Sequence, residues 1–118
     1  MNNGLSRFET NPKSGMSPSG FTSKNAFSTD DKTEINHFYH QTDNDSKLAG
    51  VWECAPCREE ISSYPVNEMM TVVSGSVTVT ENGKPPETFT AGDSFFIAKG
   101  TECVWEITET LRKFYFIA

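Results

Sequence analysis

Apolar residues in this chain recur at every second position in short runs. Tyr64, Val66, Glu68, Met70 and Val72 fall on one face of an extended segment, and Cys103, Trp105 and Ile107 on one face of another. Val77 and Val79 form a third set, and Lys113, Tyr115 and Ile117 alternate with Arg112, Phe114 and Phe116. No segment keeps apolar residues at helical spacing over three turns, which disfavours a helical protein. The pattern predicts nine short strands, over 35–41, 48–54, 59–64, 68–73, 76–80, 87–90, 94–98, 102–108 and 112–117. Between them Ser74-Gly75, Glu81-Asn82-Gly83, Ala91-Gly92-Asp93 and Lys99-Gly100 supply the positive-φ residues that hairpins need. Strands and turns of this spacing make an all-β sandwich or barrel.

Residues 1–32 lack that period. Leu5, Phe8, Phe21 and Phe27 stand singly in a stretch rich in Ser, Asn, Gly and Pro, so an irregular N-terminal arm precedes a β domain over 33–118. The composition suits a disordered arm or one laid along a surface with its phenylalanines in pockets, and partial docking is the expectation. A length of 118 residues allows one domain with a modest core. The apolar runs fall far short of the roughly 20 residues that cross a bilayer as a helix. With no apolar block of signal-peptide length near the start, the chain is expected to be cytoplasmic, without a membrane partner. A net charge of −6 repels phosphate polymers and argues against nucleic-acid binding. Three cysteines, an odd count without an export signal, are expected to be reduced.

The alternating faces bring a carboxylate, a phenol and a thiol to one apolar-walled interior, the composition of a small-molecule site. Glu68, facing such an interior, is the best candidate for general acid or base work. Trp52 and Trp105 suit core packing, with an indole N–H each to offer a ligand. Lys113, a strand lysine flanked by aromatics, ordinarily faces solvent; turned inward, it would pair with Glu53 or Glu68. Cys54-Ala55-Pro56-Cys57 has redox or half-zinc-site spacing, but neither a helix start nor a second such string accompanies it, so the two thiols are read as having no joint role. His37 and His40 would lie on opposite faces of a regular strand and could not act together.

Glu68, with six residues between it and Gly75, and the stretch Gly92-Asp93-Ser94-Phe95-Phe96-Ile97-Ala98-Lys99-Gly100-Thr101-Glu102-Cys103 resemble the two motifs of the cupin superfamily. Gly50-Val51-Trp52-Glu53-Cys54, Asn67-Glu68, Gly92-Asp93-Ser94-Phe95, Trp105-Glu106 and Arg112-Lys113-Phe114-Tyr115 are similar to the small single-domain cupins grouped with (S)-ureidoglycine aminohydrolase. The resemblance covers about 34–118 and implies a cupin-type double-stranded β-helix, the jelly-roll barrel, usually as a homodimer. Metal-binding cupins hold their ion with three histidines and a glutamate. Alignment on Glu68 puts Ser62 and Tyr64 at the first two histidine positions and Cys103 at the third. No cofactor is therefore expected, and any divalent metal would fall to Glu68, Cys103 and Tyr64, with zinc best suited to that set.

Two functions stay open, because one fold hosts many. The resemblance implies a hydrolase or lyase acting on a ureidoglycine-type metabolite, with Glu68 as acid or base and Tyr64, Cys103 and Lys113 orienting the substrate. The missing ligand positions favour instead a metal-free cupin that binds a small nitrogenous metabolite in the barrel. Its contacts would be Tyr64, Ser62, Cys103, Trp105, Trp52 and Lys113.

Overall fold

Two long strands organise the molecule, because the inward alternation at 68–72 continues through 77–79 and that at 103–107 continues through 111–117. The computed structural model describes residues 4–118. Its strands are β1 (Ser17–Pro18), β2 (Glu34–Gln41), β3 (Leu48–Cys54), β4 (Cys57–Ile61), β5 (Glu68–Glu81), β6 (Glu87–Thr90), β7 (Ser94–Ile97) and β8 (Cys103–Ile117). All pair antiparallel. This is the all-β, cupin-type jelly roll expected, although strand pairing does not close the sheet among the described residues. No helix there is long and apolar enough to cross a membrane.

β5 and β8 pair along their whole length, and each changes its other neighbour halfway. Residues 68–71 of β5 pair with β7, and 76–79 with β6. Residues 111–117 of β8 pair with β3, and 103–107 with β4. The result is two layers joined through the same two bent strands. One runs β1-β2-β3-β8-β5-β7 and the other β4-β8-β5-β6. Met70, Val72, Leu111 and Tyr115 from the first layer pack against Val77, Trp105 and Ile107 from the second.

The bend explains where the predicted elements differ. Ser74-Gly75 is not a hairpin turn but a bulge inside β5, where the register to β8 shifts between Val72 and Val77. Gly75 has φ +83°, and a Cβ there would lie 1.9 Å from the Thr110 carbonyl oxygen. Glycine thus serves a close strand approach as well as a positive φ. The predicted pairs 68–73 with 76–80, and 102–108 with 112–117, consequently merge into β5 and β8. A second bulge, between Phe38 and His40, breaks the regular alternation assumed for His37 and His40.

The arm lies along the domain. β1 extends the sheet at β2, a 3-10 turn covers Lys24–Ala26, and Phe27 bridges to Cys57. Phe8 stacks on Tyr39 at 4.7 Å and meets Phe114 edge-on at 5.5 Å. Arg112 donates to the Thr10 carbonyl and, at 2.8 Å, to Asn11 Oδ1. Phe27 packs against the core, whereas Leu5 and Phe21 remain exposed, so only part of the aromatic set is pocketed.

Candidate ligand site

The first residue of β5 and the second half of β8 place two opposite charges in the interior. Glu68 and Lys113 are each 5% exposed, and Lys113 Nζ donates to Glu68 Oε2 at 2.7 Å. The other carboxylate oxygen, Oε1, accepts the Tyr64 O–H at 2.6 Å. Tyr64 stands in the β4–β5 connection, where its N–H bonds the Thr101 carbonyl at 2.8 Å and its own carbonyl accepts from Gly100 N–H at 2.8 Å. Two backbone bonds thus fix the ring that satisfies the carboxylate. Burial first, then the negative charge of Glu68, push the Tyr64 phenol well above its usual range, so it stays a donor.

Lys113 is not a solvated outer residue. Its register partner on β3 is Trp52, so both side chains stand on the inner face. Nζ lies 4.7 Å from the Trp52 ring centre and 4.9 Å from that of Trp105. It also lies 3.1 Å from Met70 Sδ. Of the two carboxylates considered, Glu68 takes the lysine and Glu53 takes Arg112 at 3.0 Å instead.

These groups line a cavity of about 420 Å³ with largely apolar walls that include Leu48, Ile61 and Val66. Glu68, Lys113, Tyr64, Trp52 and Trp105 all reach it. Two other sequence candidates do not. Ser62 is exposed in the β4–β5 connection, and Cys103 is buried at the start of β8 outside the cavity lining. Burial pushes the Cys103 thiol up. Cys54 and Cys57 are both fully buried free thiols, and a side-chain hydrogen bond between them raises Cys54 and lowers Cys57, so they face each other rather than standing apart.

The residues at the cupin ligand positions do not fit a metal ion. Ser62 is exposed, Cys103 lies outside the cavity lining, and the carboxylate already accepts from a phenol and an ammonium. A cation beside that ammonium would meet like charge. Among the described residues, no group of three or more His, Cys, Asp or Glu comes together with ligand geometry.

Several contributors escaped the sequence reading. Tyr115 lines the cavity and donates to Asn36 Oδ1 at 2.7 Å. It reaches β2 because Gly50 lies between: a Cβ there would be 2.2 Å from the His37 carbonyl oxygen and 2.9 Å from Tyr115 Oη. Glu34, buried on β2, accepts from Trp52 Nε1 at 3.0 Å. The same carboxylate accepts from Ser19 Oγ at 2.8 Å and from the N–H groups of Phe21 and Thr22 at 2.9 and 3.0 Å. Phe21 and Thr22 are part of the cavity wall, so Glu34 ties the arm and a cavity indole to one point. The period-2 set Glu34, Asn36 in the first strand was the available signal.

A jelly roll with a buried polar cluster opening on an apolar cavity is a cupin-type architecture. The sequence matches the EutQ-like cupin domain family over residues 42–115, and the chain belongs to that family. A protein of unknown function from Pseudomonas syringae pv. tomato, of the DUF861 family, has a similar structure. It is 21% identical with a TM-score of 0.80, and the match covers 94% of this chain and 46% of that one. This chain therefore spans about half the length of the Pseudomonas protein. The Clostridium difficile EutQ protein is 17% identical over 73% of this chain and 68% of its own, with a TM-score of 0.59. A putative ethanolamine utilization protein Q from Salmonella typhimurium is 19% identical over 86% of this chain and 94% of its own, with a TM-score of 0.57. At these identities the likeness speaks for the fold alone. No curated protein matches the chain.

Proposed function

We propose that the chain binds a small nitrogenous metabolite in the cavity, anchored by Glu68, Lys113 and Tyr64 and walled by Trp52 and Trp105. The observation that carries this reading is a buried, hydrogen-bonded ion pair at the wall of a largely apolar cavity. Replacing a buried pair by well-packed apolar residues of similar volume is often neutral or stabilising, so stability is weak grounds for keeping this pair. A site that must orient a polar ligand gives a stronger reason. The test is titration of a panel of small amides, ureas and amines into 15N-labelled protein, following the indole N–H resonances of Trp52 and Trp105. A saturable shift is expected for at least one compound in the wild type and its loss in Glu68→Gln with the rest of the spectrum preserved. Equal binding by Glu68→Gln would overturn the site assignment.

A second reading, a hydrolase or lyase of the (S)-ureidoglycine aminohydrolase type, draws on the orientation of the same carboxylate. Contacts of 2.6 and 2.7 Å to two proton-bearing groups hold Glu68 as general acid–base transfer requires. Turnover of a panel compound that Glu68→Gln loses while still binding it would favour this reading.

A further inference from the structure

We propose that Lys113 is a nucleophile that condenses with small, uncharged carbonyl compounds entering the cavity and holds them as an iminium. The inference rests on the cavity being a ligand site and adds a reacting atom and a ligand class to it. Lys13, Lys24, Lys32, Lys47, Lys84 and Lys99 are all exposed, whereas Lys113 is buried and yet lines the cavity. Its Nζ sits between two indole faces at 4.7 and 4.9 Å, with a carboxylate oxygen at 2.7 Å placed to take its proton.

Glu68 supplies the proton path. The ammonium passes a proton to Oε2 across the 2.7 Å contact, and the freed amine lone pair attacks the carbonyl carbon. The carbonyl π bond breaks and its oxygen becomes the hydroxyl of a carbinolamine by taking a proton from the same nitrogen. Protonated Glu68 then returns its proton to that hydroxyl, the C–O bond breaks, water leaves and the C=N bond forms. Two of the three ammonium hydrogens depart in the water, and the positive charge stays on nitrogen. The indole faces and carboxylate that hold an ammonium are equally complementary to the iminium that replaces it. Tyr64 keeps the carboxylate in place through Oε1. The ligand class follows from charge. Lys113 is the sole cationic residue of the described cavity lining, against Asp45, Glu59 and Glu68, so an anionic oxo acid is disfavoured relative to a neutral aldehyde or ketone.

The experiment incubates the whole chain with benzaldehyde or 4-carboxybenzaldehyde and sodium cyanoborohydride, then maps N-alkylated lysines by mass spectrometry over time. A parallel titration without reductant follows the indole N–H resonances of Trp52 and Trp105. Expected is benzylation of Lys113 ahead of the six exposed lysines, slower with the charged aldehyde, and loss of that preference in Glu68→Gln. Indole shifts with benzaldehyde but no preferential trapping at Lys113 would overturn the nucleophile and leave the cavity reading standing. Neither shifts nor trapping would overturn the inference and count against the cavity as well. Lys113→Arg keeps the charge for the fold and should abolish the trapped adduct at that position while the exposed lysines react as before.

Discussion

Lys113→Met should be among the most damaging single substitutions in the domain, and pairing it with Glu68→Leu should rescue it. Methionine matches the lysine stem in length and fills its volume beside Met70, Trp52 and Trp105, so the perturbation is electrostatic. The two side chains keep 6% and 7% of their exposure, which places both charges out of water. Removing one leaves the buried Glu68 carboxylate with only the Tyr64 phenol, and breaking a buried pair in this way costs about 3–5 kcal/mol. Because the pair opens on a cavity, we take the lower end, about 3 kcal/mol. For a chain of this length, that corresponds to a fall in Tm on the order of 12 °C. Replacing both partners removes the uncompensated charge, and such double apolar variants range from neutral to about 1–4 kcal/mol more stable. The assay is urea unfolding by far-ultraviolet circular dichroism on wild type, both single variants and the double variant. A Lys113→Met cost within about 0.5 kcal/mol of wild type, the size of an ordinary surface change, would refute the reasoning. So would single costs that simply add in the double variant.

Other expectations follow from the same structure. Burial holds the Tyr64 and Tyr115 phenols protonated beyond the usual value of 10.0, whereas the unfolded chain ionises them there. Stability should therefore be unaffected by these phenols below pH 10 and fall as the pH rises above it. Two of the three tyrosines should ionise only with unfolding, read as tyrosinate absorbance, and free titration of all three before unfolding would contradict this. Glu34→Gln replaces one acceptor oxygen by an amide NH2 that cannot accept from the donors around it, so trypsin should cut faster at Lys13 and Lys24 while the β domain stays intact; an unchanged rate would deny that Glu34 holds the arm. Gly75→Ala should destabilise by at least about 2 kcal/mol, from a clash with the Thr110 carbonyl and a strained φ, and a midpoint equal to wild type in urea would deny the bulge.

What could be read in advance was whatever follows from local alternation. Glu68, Met70 and Val72, like Cys103, Trp105 and Ile107, are buried as their period requires. Tyr64 reaches its carboxylate from the β4–β5 connection, held there by its backbone bonds to Thr101 and Gly100 rather than by strand alternation. What could not be read depended on contacts distant in sequence. Ser74-Gly75 carries turn chemistry, and only Thr110 on the neighbouring strand makes it a bend within one strand. Lys113 would be solvated on most strands, and its inward position becomes tolerable only through Glu68, 45 residues away, and through Trp52 across β3. Ser62 and Cys103 were placed by motif alignment rather than by geometry, and the connection after β4 carries Ser62 outward. Glu34 drew no notice because its four donors come from an aperiodic arm and from an indole on the next strand.

β8 pairs with β3, β4 and β5, all of which precede it in sequence. Until residues 103–117 are available, three earlier strands lack the neighbour that satisfies one side of their backbone. Loops must close over long stretches before native pairing repays the lost entropy, which makes such a topology slow to fold. The unpaired edges of β3 and β5 are meanwhile open to pairing with other chains. During synthesis, the half-made domain is therefore the species most prone to aggregation, and sequence changes in β8 should lower yield more steeply than they lower the stability of the finished fold.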